Sequence, residues 1–98
     1  MIRNVVMGRL KDTSDETVAE LDRGLAGIRS LDLPGQLSMS AGRDAALRDG
    51  GWDFAIVNDW ADAEAYRAYD VDDTHNVYRS IIGGVSAQVA RVQFEITG

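Results

Sequence analysis

The only histidine of the chain, His75, is the residue whose type best suits proton transfer, because an imidazole gains or loses a proton near neutral pH. It falls at the start of the last predicted helix. The helix amino terminus disfavours a protonated ring, whereas Asp72 and Asp73 favour one, so the direction of its pKa shift stays open. A lone histidine in such a position is more often structural or solvent-exposed. No acidic residue accompanies His75 in a ligand pattern, and we predict no metal site.

Two asparagines and a glycine interrupt the apolar faces of predicted strands. Asn4 and Asn58 each need a partner, because burying an unpaired amide costs about 1–3 kcal/mol. Each is either a satisfied structural amide or, for Asn4 in particular, part of the wall of a ligand pocket. Gly8 weakens its strand unless backbone or ligand approaches closely. Tyr66 and Tyr69 lie three residues apart on a predicted helix, so only one needs to point squarely at the sheet.

The composition excludes several classes of protein. The chain has 98 residues, of which 45% are hydrophobic and 27% charged, as in globular proteins. Its net charge of -6 without a basic stripe disfavours nucleic acids and anionic membrane surfaces as partners. There is no cysteine, no apolar run long enough to span a bilayer, and no signal-peptide pattern, so we expect a soluble cytoplasmic protein. Motifs for covalent, phosphate or dinucleotide chemistry are absent, and we expect no cofactor.

Hydrophobic periodicity predicts four strands separated by helices. The strands are expected at Ile2–Leu10, Gln36–Ala41, Trp52–Trp60 and Ala87–Thr97. The first helix should follow a capping box formed by Thr13 and Glu16, and the later two should be capped by Asp62 and Thr74. The apolar stripe of the last helix is expected to comprise Val77, Tyr78, Ile81, Ile82 and Val85. This order predicts an α+β, ferredoxin-like β-α-β-β-α-β fold, formed as one domain over residues 1–98.

Such a sheet has helices on one face and leaves the other bare. On that second face, Val5 and Met7 are flanked by Arg3 and Arg9. The third strand repeats the design, and its apolar and flanking residues are Ala55, Val57, Asp53 and Asp59. An apolar centre with a charged rim suits an association surface, although the charges are alternatively the solvated ends of short strands. We expect a second copy to cover this face, which gives a homodimeric α/β barrel.

Several short segments together resemble the stress-responsive A/B barrel (Dabb) family. They are the opening Ile2–Asp12, the Ala-Gly-Arg-Asp of residues 41–44, the Trp-Asp-Phe-Ala of residues 52–55 and the Ala-Tyr-Arg-Ala-Tyr of residues 65–69. The resemblance spans nearly the whole chain. It implies a dimeric α/β barrel with a small-molecule pocket between sheet and helices. The family includes a plant polyketide cyclase that closes a ring by aldol condensation without a cofactor.

The same resemblance implies which residues form the site. The pocket tyrosine and one histidine of that cyclase fall on Tyr69 and His75, whereas its second histidine falls on Asn4, which cannot shuttle a proton near neutral pH. The resemblance also places Val89, Arg91 and Gln93 toward the pocket and Val92, Phe94 and Ile96 toward the barrel core, a choice that periodicity alone leaves open. The expected ligand-binding residues are Val6, Gly8, Ile56, Arg91 and Gln93.

Three functions are compatible with these residues. The first is a cofactor-independent cyclase, lyase or isomerase for a polyketide-like or small carbonyl compound, in which His75 is the general base, Tyr69 bonds the enolate and Asn4 orients the carbonyl. The second is a non-catalytic, metabolite-binding or stress-associated dimer. The third is a cofactorless monooxygenase with tryptophans lining its pocket.

Overall fold

The computed structural model describes residues 1–97 and confirms the predicted order of elements. The strands are β1 (Ile2–Leu10), β2 (Gln36–Arg43), β3 (Phe54–Trp60) and β4 (Ser86–Glu95). The helices are α1 (Asp15–Arg29), α2 (Ala63–Asp70) and α3 (Asp73–Val85). The strands form one antiparallel sheet in the order β2-β3-β1-β4, and the chain has the ferredoxin-like fold expected from the sequence.

The hydrophobic core lies between the helices and one face of the sheet. In β1 the inward positions include Asn4, which pairs across the sheet with Asn58 of β3 and Gln93 of β4. The buried apolar side chains are Leu21, Leu25, Ile28, Leu31, Phe54, Ile56, Trp60, Tyr69, Ile82 and Val85. Strand alternation therefore places two polar amides, Asn4 and Asn58, among apolar neighbours beneath the helices.

Two of the three predicted helix caps are wrong by one or two residues. Helix α1 is capped by Ser14, whose hydroxyl accepts the Thr17 amide at 3.2 Å, and not by Thr13. Helix α3 is capped by Asp72 rather than Thr74, because the Asp72 carboxylate accepts the His75 amide at 2.9 Å. The N-cap prediction for α2 is confirmed. An acidic cap satisfies an otherwise unpaired amide and complements the helix dipole, so Asp72 also fixes His75 in the first turn of α3.

The other differences lie at element ends and on one helix face. Strand β3 begins at Phe54 rather than Trp52, β2 extends to Arg43 rather than Ala41, and β4 spans Ser86–Glu95 rather than Ala87–Thr97. Val77 was predicted to lie on the buried stripe of α3, but its side chain is 58% exposed. The prediction is wrong for Val77, because the buried face of α3 runs through His75 and the correctly predicted Ile82 and Val85.

The second face of the sheet is open and apolar, as expected. Among its residues, Met7 is exposed, Val5 and Val57 are half-buried, and Val92 and Phe94 of β4 are 54% and 46% exposed. The register places Val92 beside Val5 and Phe94 beside Arg3, so β4 contributes to the same surface. The sheet therefore presents a continuous apolar band to solvent.

The charges around this band are bonded within the chain. Arg3 makes two hydrogen bonds to Asp59, at 2.8 and 2.9 Å, so their charges neutralise each other. The Asp53 carboxylate accepts the Leu10 amide at 2.7 Å. The Arg9 guanidinium lies over the ring of Trp52, 4.5 Å from its centroid. These contacts hold the strand ends in place. The charged residues therefore stabilise the sheet itself, in addition to surrounding the apolar band.

Candidate functional site

A cavity opens between the inner face of the sheet and helices α1–α3. Its volume is about 80 Å³. The polar side chains at its wall are Asn4, Tyr66, Tyr69, Asp70, His75, Arg79 and Arg91. The apolar part of the wall comprises Val6, Ile28, Ile56, Ile82, Gly83 and Val89. The cavity thus combines an apolar floor with titratable groups from two helices and one edge strand, the usual make-up of a small-molecule site.

His75 is held in one orientation from two directions. Its backbone is fixed by Asp72, and its ring Nδ1 lies 2.9 Å from the carbonyl oxygen of Tyr69. The carbonyl only accepts, and this contact is shorter than the 3.3 Å approach of the donor-only Arg79 guanidinium to the same nitrogen. We therefore assign the hydrogen to Nδ1 and the lone pair of the neutral ring to Nε2. Within residues 1–97, Nε2 has no hydrogen-bond partner. Every fully buried side-chain nitrogen in that range has a partner, so Nε2 must be in contact with solvent. His75 presents a hydrogen-bond acceptor and proton acceptor.

The surroundings of His75 settle the direction of its pKa. The residue is only 4% exposed, and burial, followed by the nearby Arg79 guanidinium, lowers its pKa from 6.5 to about 4. The Tyr69 carbonyl and the carboxylates of Asp70 and Asp72 act in the opposite direction but are weaker. Loss of hydration penalises the charged ring more than these acceptors stabilise it. His75 is therefore neutral at physiological pH.

Tyr69 occupies the centre of a stack of three rings. Its ring centroid lies 3.9 Å from that of His75 and 4.6 Å from that of Trp60. Its hydroxyl accepts a hydrogen bond from the Asn58 amide at 3.2 Å, and burial raises the pKa of the hydroxyl. The tyrosine is consequently protonated at neutral pH, and its ring is packed between those of His75 and Trp60.

Asn4 reaches the cavity from β1. Its Oδ1 accepts a hydrogen bond from Gln93 Nε2 of the neighbouring β4 at 2.8 Å. This bond satisfies the amide oxygen and leaves the Asn4 nitrogen available as a donor. Arg91, two residues before Gln93, lines the cavity on the same face of β4. The expectation that β4 turns these residues toward the helices agrees with the register.

Most of the predicted site residues meet at this cavity. Those in its wall are Asn4, Val6, Ile56, Tyr69, His75 and Arg91. Gln93 is bonded to Asn4 rather than placed in the wall. Gly8 leaves no space for a ligand, because a Cβ at this position would overlap the ring of Phe54. Its missing side chain makes room for a core residue instead.

The tryptophans are also placed differently from expectation. Trp60 is fully buried behind Tyr69, and Trp52 lies under Arg9 at the far end of the sheet. Neither lines the cavity, so the tryptophans do not support the monooxygenase hypothesis, which keeps only the shared fold as its basis.

Arg79 and Tyr66, which were not predicted to be site residues, also line the cavity. Arg79 lies 3.3 Å from His75 Nδ1 and forms an ion pair with Asp70 at 2.6 Å. The signal for Arg79 was its spacing of four residues from His75 on one helix, which places both side chains on one face. Tyr66 stands beside Tyr69, with ring centroids 6.0 Å apart, so both tyrosines of α2 reach the cavity.

Over residues 1–97, no three histidine, aspartate or glutamate side chains are grouped to hold a metal ion. In that same part of the chain, none of the helices has both the length and the apolar character needed to cross a bilayer.

The sequence of residues 2–96 matches the family described as Stress responsive A/B Barrel Domain, or Dabb. The chain belongs to this family. No curated protein sequence matches it significantly. Membership confirms the resemblance carried by the strand and helix motifs.

Several solved structures are similar to the chain. One from Thermobifida fusca, described as a dimeric ferredoxin-like protein of unknown function, is 27% identical, with 97% of this chain and 90% of that chain covered and a TM-score of 0.84. A Dabb protein from Mesorhizobium loti is 19% identical, with coverage of 99% and 97% and a TM-score of 0.75. SnoaB of Streptomyces nogalater, described as a cofactor-independent oxygenase, is 15% identical, with coverage of 99% and 93% and a TM-score of 0.70. These likenesses agree on the fold.

Proposed function

We propose that this Dabb protein binds a small polyketide-like compound in the cavity and catalyses its cyclisation, cleavage or isomerisation without a cofactor. The observation that carries the proposal is the pairing of a neutral His75, whose Nδ1 is bonded to a carbonyl, with Tyr69, whose ring stacks on the same imidazole. A base and a hydrogen-bond donor side by side are the groups needed to form and stabilise an enolate.

The proposed reaction begins with proton abstraction. His75 Nε2 takes a proton from the carbon between two carbonyls. The electron pair of that C–H bond becomes the carbon–carbon double bond of the enolate, and the π pair of the carbonyl moves to its oxygen. The Tyr69 hydroxyl and the Asn4 amide bond the resulting enolate and an adjacent carbonyl. The enolate carbon then attacks a second carbonyl, and the imidazolium returns its proton to the alkoxide that forms. No redox partner is required, because each electron pair and proton is accounted for within the ligand and His75.

The low pKa of His75 narrows the class of substrate. A base with a pKa of about 4 is unprotonated at neutral pH but weak, so it suits only carbon acids that are already acidic. Hydrogens between two carbonyls, as in polyketides, are of this kind, whereas those of a simple ketone are not. Arg91 at the cavity wall favours an oxygenated or anionic ligand.

The proposal also includes the assembly. The open apolar band suits a second copy of the chain, and the Thermobifida fusca protein of the same fold is described as dimeric. We therefore propose a homodimeric α/β barrel in which each copy covers the open sheet face of the other. We further propose that the chain forms one domain, that the protein is located in the cytoplasm, and that it binds neither nucleic acids nor membranes.

A second candidate is binding without conversion. The cavity volume of about 80 Å³ is small beside the roughly 300–1,000 Å³ of common ligand pockets, and Asn4 stands where the related cyclase has a second histidine. The asparagine at this position favours a metabolite-binding dimer in which His75 acts only as an acceptor, whereas the cavity volume restricts either candidate to a small ligand.

Hydrogen exchange separates the two candidates. Ethyl acetoacetate, a small 1,3-dicarbonyl compound, is incubated in D2O with the protein, and loss of its α-hydrogen signal is followed by proton NMR. We expect exchange above the buffer rate for the wild type and a return to the buffer rate for His75→Gln, since a positioned general base contributes about 10²–10⁴-fold. Val77→Ala, an exposed change on the same helix, is the matched control and should behave as wild type.

Equal exchange by wild type and His75→Gln would contradict the catalytic proposal. Binding of ethyl acetoacetate, detected by a shift in thermal stability, with exchange at the buffer rate would support the binding candidate instead.

A further inference from the structure

A hydrogen-bond chain runs behind the cavity from Trp60 through Asn58 to Tyr69. The Trp60 indole nitrogen donates to Asn58 Oδ1 at 2.6 Å, and Asn58 Nδ2 donates to the Tyr69 hydroxyl at 3.2 Å. Asn58 and Trp60 are fully buried, and Tyr69 is nearly so. We call these three hydrogen-bonded residues the Trp-Asn-Tyr relay.

The direction of the relay is fixed by chemistry. An indole N–H only donates, so the amide oxygen of Asn58 must face Trp60 and the amide nitrogen must face Tyr69. Reversing the amide would place its NH2 group against the indole N–H and leave two buried donors without an acceptor, which native interiors avoid. The Asn58 side chain therefore has one stable orientation.

This orientation decides what the Tyr69 hydroxyl can do. Because its oxygen already accepts from Asn58, its own hydrogen is free to be donated elsewhere. No residue among 1–97 accepts that hydrogen, and Tyr69 forms part of the cavity wall. Asn58 also acts against burial, since its hydrogen bond lowers the pKa of a hydroxyl that burial raises.

We propose that Asn58 is a positioning residue that commits the Tyr69 hydroxyl to donate into the cavity, and that the site accordingly selects ligands with an acceptor oxygen at that point. The matching chemical class is a carbonyl compound that becomes an enolate. His75 Nε2 accepts on the adjacent ring, so a fitting ligand offers an acidic hydrogen beside the acceptor oxygen. This inference rests on the proposed function for the identity of the site, but it concerns affinity rather than turnover.

The test is a double-mutant cycle read out by ligand binding. Acetylacetone is the probe, because it is small and its enolate has a distinct ultraviolet absorption. Asn58→Asp keeps the shape of the side chain, but the carboxylate accepts from both Trp60 and Tyr69, so it captures the hydroxyl hydrogen. Enolate affinity is measured from pH titrations of the absorption for wild type, Asn58→Asp, Tyr69→Phe and the double variant.

We expect Tyr69→Phe to weaken enolate binding roughly tenfold or more, as for a lost hydrogen bond to a charged group. Asn58→Asp should weaken it at least as much in the wild-type background. In the Tyr69→Phe background the same change should have only the smaller effect of its added negative charge. A structural role of Asn58 would weaken binding equally in both backgrounds and would overturn the proposal, as would failure of the wild type to bind acetylacetone.

A second variant covers the case in which Asn58→Asp does not fold. Asn58→Leu is uncharged and of similar size, and its effect on enolate affinity should likewise vanish when Tyr69 is replaced by phenylalanine. The hydrogen-exchange assay and the double-mutant cycle can give opposite results, so each tests its own proposal. Coupling without hydrogen exchange would leave the ligand class standing and the catalytic proposal refuted, whereas exchange with additive variants would refute the role of Asn58 alone.

Discussion

His75 is the only histidine in the chain, so its protonation can be followed as a single imidazole signal. The buried ring has a pKa of about 4, whereas an unfolded chain has a pKa near 6.5 at this residue. Between these two values the unfolded state binds more protons than the folded state, so the free energy of unfolding rises with pH in that window. Acidification from pH 6.5 to pH 4 should therefore destabilise the protein through His75.

The size of this effect follows from the two pKa values. One pKa unit corresponds to about 1.4 kcal/mol, and summing the protonation difference gives a loss of about 2 kcal/mol between pH 7 and pH 5 and about 3 kcal/mol by pH 4. Domains of this kind are commonly stable by about 5–15 kcal/mol, so the loss is a large fraction of the total. Below pH 4 the loss from this group levels off, because the folded state also becomes protonated.

The assay is urea unfolding at a series of pH values and one protein concentration, with His75→Gln as the test variant. Glutamine does not titrate. The free energy of unfolding of the wild type, relative to that of the variant, should therefore fall by about 3 kcal/mol from pH 7 to pH 4. Carboxylates such as Asp12 and Asp59 titrate in both proteins and cancel in this difference. Val77→Ala serves as control and should follow the wild type at every pH.

Parallel stability curves for wild type and His75→Gln would refute the reasoning. So would an imidazole signal that titrates near pH 6.5 in the folded protein, since both outcomes require a solvated ring.

The remaining predictions concern the groups around the site and the open face. Arg79→Gln removes a positive charge near His75 and should raise the pKa of His75, still to below 6.5 because burial is the larger cause; an unchanged NMR titration midpoint would count against this. Gly27→Ala should lower the free energy of unfolding in urea by up to about 2 kcal/mol, because the new Cβ overlaps the Tyr78 ring. At Gly84 a new Cβ meets nothing within 4 Å, so Gly84→Ala should raise the free energy of unfolding by up to about 1 kcal/mol. Equal effects of the two glycine changes would show that packing does not decide them. Val92→Asp should convert the proposed dimer to a monomer in sedimentation, and an unchanged mass would contradict association through the open face.

The fold was predictable from local patterns because each element carries its own signal. Period-two alternation defined β1 and β3, and the apolar stripe of α1 defined the face that covers the sheet. Most errors lay at ends and caps, where the neighbouring Thr13 and Ser14 are both favoured N-cap residues and only the backbone path chooses between them. The exposed Val77 shows the same limit, since the sequence does not say which side of α3 meets another helix.

The sequence by itself determined that Asn4, Val6 and Ile56 share a sheet face beneath the helices, because strand alternation is a property of the local backbone. Only the tertiary structure decided the state of His75. Its pKa depends on how completely other elements remove water from the ring, and local charges had left the direction open. The Trp-Asn-Tyr relay likewise required the fold, since it joins two residues of β3 to a tyrosine on α2, and no spacing in the sequence states that they touch.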